Sequence, residues 1–149
     1  MRVLLICLLF LALVWSCGRK EMQVVDLNDL MRIQLGEIVH LGELLKQPAE
    51  MVCVLPPYTD KVDAEQPHSQ QINAYLKSVN YTATEGWAML FVKGDTVMLQ
   101  TFGAQPITAT RWHEGRPKGF KPVQCASVAR AIVTKVDSFA PSLMLGEER

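Results

Sequence analysis

Residues 87–102 read WAMLFVKGDTVMLQTF, and this stretch decides the fold. Two apolar runs meet at Gly94 and Asp95, where glycine can take the positive backbone angle that a tight hairpin turn requires. The pattern therefore predicts a β-hairpin, in which Val92 faces Val97 and Leu90 faces Leu99.

Both faces of this hairpin are apolar, so each needs a covering layer. One face carries Ala88, Leu90 and Val92, and we expect a helix to lie on one of the two faces. The other face carries large side chains, namely Trp87, Met89, Phe91, Met98 and Phe102. It is either core or an adaptable surface for a partner.

The helix is predicted after Ser69, where Ile72, Tyr75 and Leu76 recur at the spacing of one helical face. Met51–Leu55 is a compact apolar run that ends at two prolines and predicts a buried strand. Further strands are expected at 123–125 and 127–136, although 127–136 also fits a helix. Residues 24–41 are equally ambiguous between helix and strand.

Together these elements predict an α+β fold: a small antiparallel sheet with one or two helices packed on it. We assign residues 24–140 to a single domain, because its length suits one core. Residues 141–149 begin with Pro141 and end in charged residues, so we expect a frayed tail.

Residues 1–16 have the pattern of a secretory signal peptide, with Arg2 preceding an apolar run that is too short to span a bilayer. The junction Val14-Trp15-Ser16-Cys17 resembles the lipobox of bacterial lipoproteins. That resemblance implies cleavage before Cys17, acylation of its thiol and amino group, and residues 17–23 as a lipidated tether. In that family the signal for retention in the inner membrane is typically an Asp after the cysteine, so Gly18 implies the periplasmic face of the outer membrane. An ordinary signal peptide and an uncleaved anchor are the alternatives.

Cys53 and Cys125 are the cysteines that remain for the folded domain once Cys7 and Cys17 are assigned to the signal and the lipid. In an oxidising compartment they predict a disulfide. The alternative is a nucleophilic cysteine paired with a histidine, His40, His68 or His113. No local signature around either cysteine supports that alternative.

Composition excludes some partners. Without Arg2, fourteen Lys and Arg stand against fifteen Asp and Glu (14 − 15 = −1), a balance that does not suggest nucleic acid. No phosphate-binding loop, nucleophile elbow or close metal-ligand spacing is present. We therefore expect no cofactor, no metal and no catalytic residues.

Residues 103–121 form a polar, glycine-rich stretch that predicts a surface loop with mostly positive charge. Trp112 and Arg116 belong to the residue types that most often dominate binding energy. We predict a partner-binding site at Arg111, Trp112, His113 and Arg116; the alternative is a solvated loop with Trp112 folded onto the domain.

The order of the lipobox, the strand at 52–58, the hairpin and the late Val123-Gln124-Cys125 resembles small periplasmic lipoproteins described as immunity proteins of type VI secretion systems. The resemblance implies a protein that binds a secreted toxin and needs no catalysis of its own. The alternatives are a cell-envelope accessory lipoprotein and, third, a periplasmic enzyme.

Overall fold

The computed structural model describes residues 23–148. The predicted signal peptide, the predicted lipidation site Cys17 and residues 18–22 of the predicted tether lie outside this range. Among the residues described, no helix has the length and apolar character needed to cross a membrane.

The described chain contains two α-helices, a short 3-10 helix and eight strands. Their bounds are α1 (Leu27–Arg32), β1 (Ile38–His40), the 3-10 helix (Leu41–Leu44), β2 (Met51–Leu55), α2 (Ser69–Ser78), β3 (Trp87–Lys93), β4 (Thr96–Phe102), β5 (Thr108–Ala109), β6 (Cys125–Ser127), β7 (Ala131–Val136) and β8 (Ser142–Glu147). The ambiguous segment 24–41 thus contains both a helix and a strand, and 127–136 contains strand β7.

The strands form two sheets, so the α+β class is confirmed while the single sheet that we expected is replaced by two. The first sheet has the order β1-β7-β8-β5, and the second has the order β4-β3-β2-β6. All pairs are antiparallel except β5 with β8.

The predicted hairpin is confirmed with its register. Val92 pairs with Val97 and Leu90 with Leu99, and Gly94 has the positive φ of 55° that the turn requires. The face that carries Trp87, Met89 and Phe91 is core, because it packs against the first sheet around Val133, Leu143 and Leu145. The alternative of an adaptable partner surface on this face is therefore wrong.

The other face of the hairpin meets helix α2, which confirms that a helix covers one face and shows which one. Ile72 and Leu76 of the helix pack on Leu90 and Val92 in a second buried cluster. The Cys53–Cys125 disulfide lies in the same cluster and joins β2 to β6, with the two Cα atoms 4.0 Å apart. The predicted disulfide is confirmed, so neither cysteine offers the free thiol that a nucleophile would need.

The prediction of a frayed tail from residue 141 is wrong for Ser142–Glu147, which form strand β8. Leu143 and Leu145 fill the core between the sheets, and Met144 is buried on the opposite face of the first sheet. The apolar run after Pro141 outweighs the terminal charges, because burying such side chains stabilises the fold by roughly 1.5–3 kcal/mol each.

Candidate functional site

The loop that connects β5 to β6 covers the outer face of the first sheet. Its anchor is Phe120, which is 5% exposed and forms a third buried cluster with Ile132, Val136 and Met144. Backbone contacts close the loop onto β8, since the amide of Glu147 donates to the carbonyl of Lys121 at 3.2 Å. The loop is therefore bound to the sheet at its carboxyl end.

Gly146 makes this close approach possible. A Cβ atom at this position would lie 2.5 Å from Cζ of Phe120 and 2.9 Å from the carbonyl oxygen of Lys121. We expect Gly146→Ala to lower the free energy of unfolding by about 1–3 kcal/mol, because Phe120 must leave its place. Limited trypsin digestion should also cut the variant faster after Lys118.

Gly103→Ala is the matched control, since its Cβ would meet nothing nearer than the carbonyl oxygen of Gln105 at 3.6 Å. This variant should keep the wild-type digestion rate. Equal digestion of wild type and Gly146→Ala would contradict the assignment of Phe120 as the anchor of the loop.

Arg111 ties the beginning of the loop to a second loop, at 58–68. Its Nη2 atom lies 2.6 Å from Oδ2 of Asp63. The backbone amide of Asp63 in turn donates to Oε1 of Gln124 at 2.9 Å, and Gln124 is 3% exposed. The arginine is thus held by a carboxylate whose own backbone is fixed by a buried side chain.

His113 lies against the turn that connects β7 to β8. Its Nε2 atom is 3.9 Å from Oδ2 of Asp137. The other carboxylate oxygen of Asp137 accepts hydrogen bonds from the amides of Phe139 (2.8 Å) and Ala140 (3.4 Å). These amides, and more weakly the nearby His113 imidazole, hold the pKa of Asp137 below its ordinary value. Asp137 therefore organises the turn as an anion.

Trp112 and Arg116 contact each other on the surface of the loop. The Arg116 guanidinium carbon lies 5.1 Å from the centroid of the Trp112 ring, within the range of a cation–π interaction. Arg116 also donates from Nη1 to the carbonyl of His113 at 3.2 Å. Trp112 remains 59% exposed, so it is not folded into the core.

Phe139 was not predicted from the sequence as a site residue, and it is 99% exposed. Phe139 lies two residues after Asp137, and Trp112 directly precedes His113. The contact between His113 and Asp137 therefore brings the two segments that carry these exposed aromatic residues to one region. The available signal was a single large apolar residue between Ser138 and Pro141. We define the partner surface as Arg111, Trp112, His113, Arg116 and Phe139.

The four predicted residues lie on one loop. Two carboxylates from other loops, Asp63 and Asp137, contact this loop and support it. Within residues 23–148 no group of three His, Cys, Asp or Glu side chains could hold a metal ion. His40 lies elsewhere, at the end of β1, with its Nε2 atom 3.9 Å from Oε2 of Glu148, the residue that follows β8. The arrangement at the partner surface suits binding through aromatic and guanidinium groups.

Comparisons with protein-family models, with curated proteins and with solved structures found no match.

Proposed function

We propose that this protein is a lipid-anchored periplasmic protein that binds and neutralises a toxic protein effector, in the manner of type VI secretion immunity proteins. The observation that carries the proposal is the pair of exposed aromatic side chains, Trp112 and Phe139, on loops that the fold holds in place. The resemblance of the sequence supplies the class of partner.

A fixed surface of this composition supports protein binding better than a solvated loop does. Tryptophan and arginine are the residue types that most often dominate interface energies, and large exposed aromatics gain from being covered. Arg111, His113 and Arg116 each have an intramolecular contact that restricts the side chain. Binding then orders few additional groups, so less of the interaction energy is lost as entropy.

The charge of the loop favours an acidic partner. Residues 111–121 contain the basic side chains Arg111, Arg116, Lys118 and Lys121 against a single acidic one, Glu114 (4 − 1 = +3). Complementary charge across an interface increases the association rate and rejects basic partners. We therefore expect the bound face of the effector to carry carboxylates.

The lipobox at 14–17 supports the proposed location. An anchor at Cys17 would hold the domain within the length of residues 18–22 from the bilayer. Confinement to a membrane surface raises the effective concentration of a binding protein where a toxin enters the periplasm. A neutralising protein needs to bind the toxin and to be located where the toxin arrives, and it needs no catalytic group.

The test is survival of cells that export the product of the adjacent gene to the periplasm. We expect the wild-type protein to rescue growth. The combined variant Arg111→Ala, Trp112→Ala, Arg116→Ala should weaken effector binding at least about tenfold, since hot-spot losses exceed about 1.4 kcal/mol, and should therefore lose protection. Adding Phe139→Ser should deepen the loss.

Leu35→Ala provides the matched control, because Leu35 has the same 59% exposure as Trp112 but lies between α1 and β1. It should protect as the wild type does. Full protection by the loop variant would remove the partner surface from the proposal. Absence of any toxicity from the exported product would instead favour an envelope accessory lipoprotein.

A further inference from the structure

Strand β4 forms one edge of the second sheet, and a groove of about 440 Å³ follows it along its whole length. The strand has seven residues, whereas the other sheet edges β1, β5 and β6 have three, two and three. No other strand within residues 23–148 pairs with the outer side of β4. An open edge of this length presents unpaired N–H and C=O groups to another chain.

The hydrogen bonds of the neighbouring strands determine which groups of β4 point outward. The amide of Glu50 donates to the carbonyl of Val92 at 2.8 Å, so this carbonyl points away from β4. Val92 is paired with Val97 across the hairpin, and because the backbone groups of Val92 point to β2, this pair exchanges no hydrogen bonds. Along antiparallel strands, pairs that exchange hydrogen bonds alternate with pairs that do not. The outward N–H and C=O groups of β4 therefore belong to Val97, Leu99 and Thr101.

Side chains from both faces of the sheet form the walls of the groove. Leu27 stands on the side of the first sheet, and Tyr75 of α2 stands on the other side. Gln100 fixes the first wall, since its Oε1 accepts from the amides of Val24 (2.9 Å) and Val25 (3.0 Å). Its Nε2 donates to the carbonyl of Val25 at 2.7 Å, so the wall is ordered before anything binds.

The groove has no charged side chain in its lining, which consists of Gln23, Leu27, Tyr75 and residues 96–102. The strand also has no proline and no lysine, two features that commonly protect sheet edges from pairing. We propose that the β4 edge binds an extended, uncharged segment of a partner protein as an additional strand. This inference is independent of the partner surface around Trp112.

The walls favour a single extended segment over a second copy of this chain. A second copy would present its own β4 edge between its own Leu27 and Tyr75. Pairing two copies at the strand spacing of about 4.8 Å would bring two Leu27 and two Tyr75 side chains to one seam, whereas a single segment meets one of each. A segment without such walls enters the groove and reaches the outward groups of Val97, Leu99 and Thr101.

The experiment uses the full-length protein in detergent micelles and a fluorescent, capped heptapeptide of alternating threonine and valine. Fluorescence anisotropy should show saturable binding. The same peptide with every backbone amide methylated should not bind, because it cannot donate to the edge. Hydrogen exchange should slow at the amides of Val97, Leu99 and Thr101 on binding, and stay unchanged at Met98 and Gln100, which already pair with β3.

Thr101→Pro is the variant that removes one outward N–H, and the Thr101 side chain is exposed. We expect it to weaken peptide binding about fivefold, the loss of one hydrogen bond. Thr101→Val keeps the N–H and should bind as the wild type does. If the proline variant fails to fold, hydrogen exchange of the wild-type protein with and without peptide still tests the proposal.

Equal binding of the methylated peptide, or protection outside the three outward amides, would overturn the proposal. The absence of saturable binding would also overturn it. Sedimentation of the peptide-free protein as a dimer that Thr101→Pro dissociates would assign the edge to a second copy instead.

Discussion

Replacing Cys53 and Cys125 together with alanine is expected to lower the free energy of unfolding by about 4 kcal/mol. The bond joins residues separated by 72 positions, so it removes much of the freedom of the unfolded chain. It also lies in the buried cluster between the second sheet and α2, where Cys53 is 0% exposed and Cys125 is 7% exposed. Urea unfolding of the oxidised wild type and the double variant measures the difference.

Reduction separates the effect of the bond from that of the side chains. Wild-type protein unfolded in urea with reductant should show a midpoint close to that of the double variant, because both then lack the crosslink. A difference between oxidised wild type and variant below about 1 kcal/mol would show that the crosslink adds little to a fold already held by its sheets.

The parts of the fold that could be predicted from the sequence are those with local causes. The β3–β4 hairpin follows from one glycine and two apolar runs, and even its register was correct, because a two-residue turn fixes every pair that follows. The disulfide was predictable for a different reason. Only Cys53 and Cys125 remained for the folded domain, so their pairing could be predicted without knowing where they lie in the fold.

The first sheet was not predictable in the same way. Its strand β5 has two residues and β1 has three, too short for an alternating pattern to be recognised. Strand β8 follows Pro141 near the carboxyl end, where charge suggested disorder. It pairs with the neighbouring β7, but its second partner β5 is more than thirty residues away in the chain. Pairing between such distant segments leaves no local pattern in the sequence. The sequence indicated only that the second apolar face of the hairpin needed a covering layer.

The candidate surface was predicted by composition and completed by the structure. Arg111, Trp112, His113 and Arg116 were recognisable as an exposed polar loop with interface residue types. Their supports were not, because Asp63 and Asp137 are ordinary carboxylates in separate loops and gain their roles only from proximity. Phe139 was missed for the same reason, since only the His113–Asp137 contact brings its segment to the loop.

Trp87 is the side chain on which the packing of the two sheets depends most. It is 1% exposed at the start of β3 and stacks on Phe102 of β4, with the ring centroids 4.1 Å apart. Its indole Nε1 donates to the carbonyl of Ile107 at 2.8 Å, just before β5 of the other sheet. One residue therefore packs the end of the β3–β4 pair that lies opposite the turn and connects the second sheet to the first.

Trp87→Ala is expected to lower the free energy of unfolding by about 4 kcal/mol, through lost burial, the remaining cavity and an unpaired carbonyl at Ile107. Trp87→Phe keeps an aromatic ring against Phe102 but loses the donor, so we expect about 1–3 kcal/mol. Urea unfolding of both variants measures the two losses. If the phenylalanine variant were as stable as the wild type, the hydrogen bond to Ile107 would not contribute to joining the sheets, and packing alone would hold them.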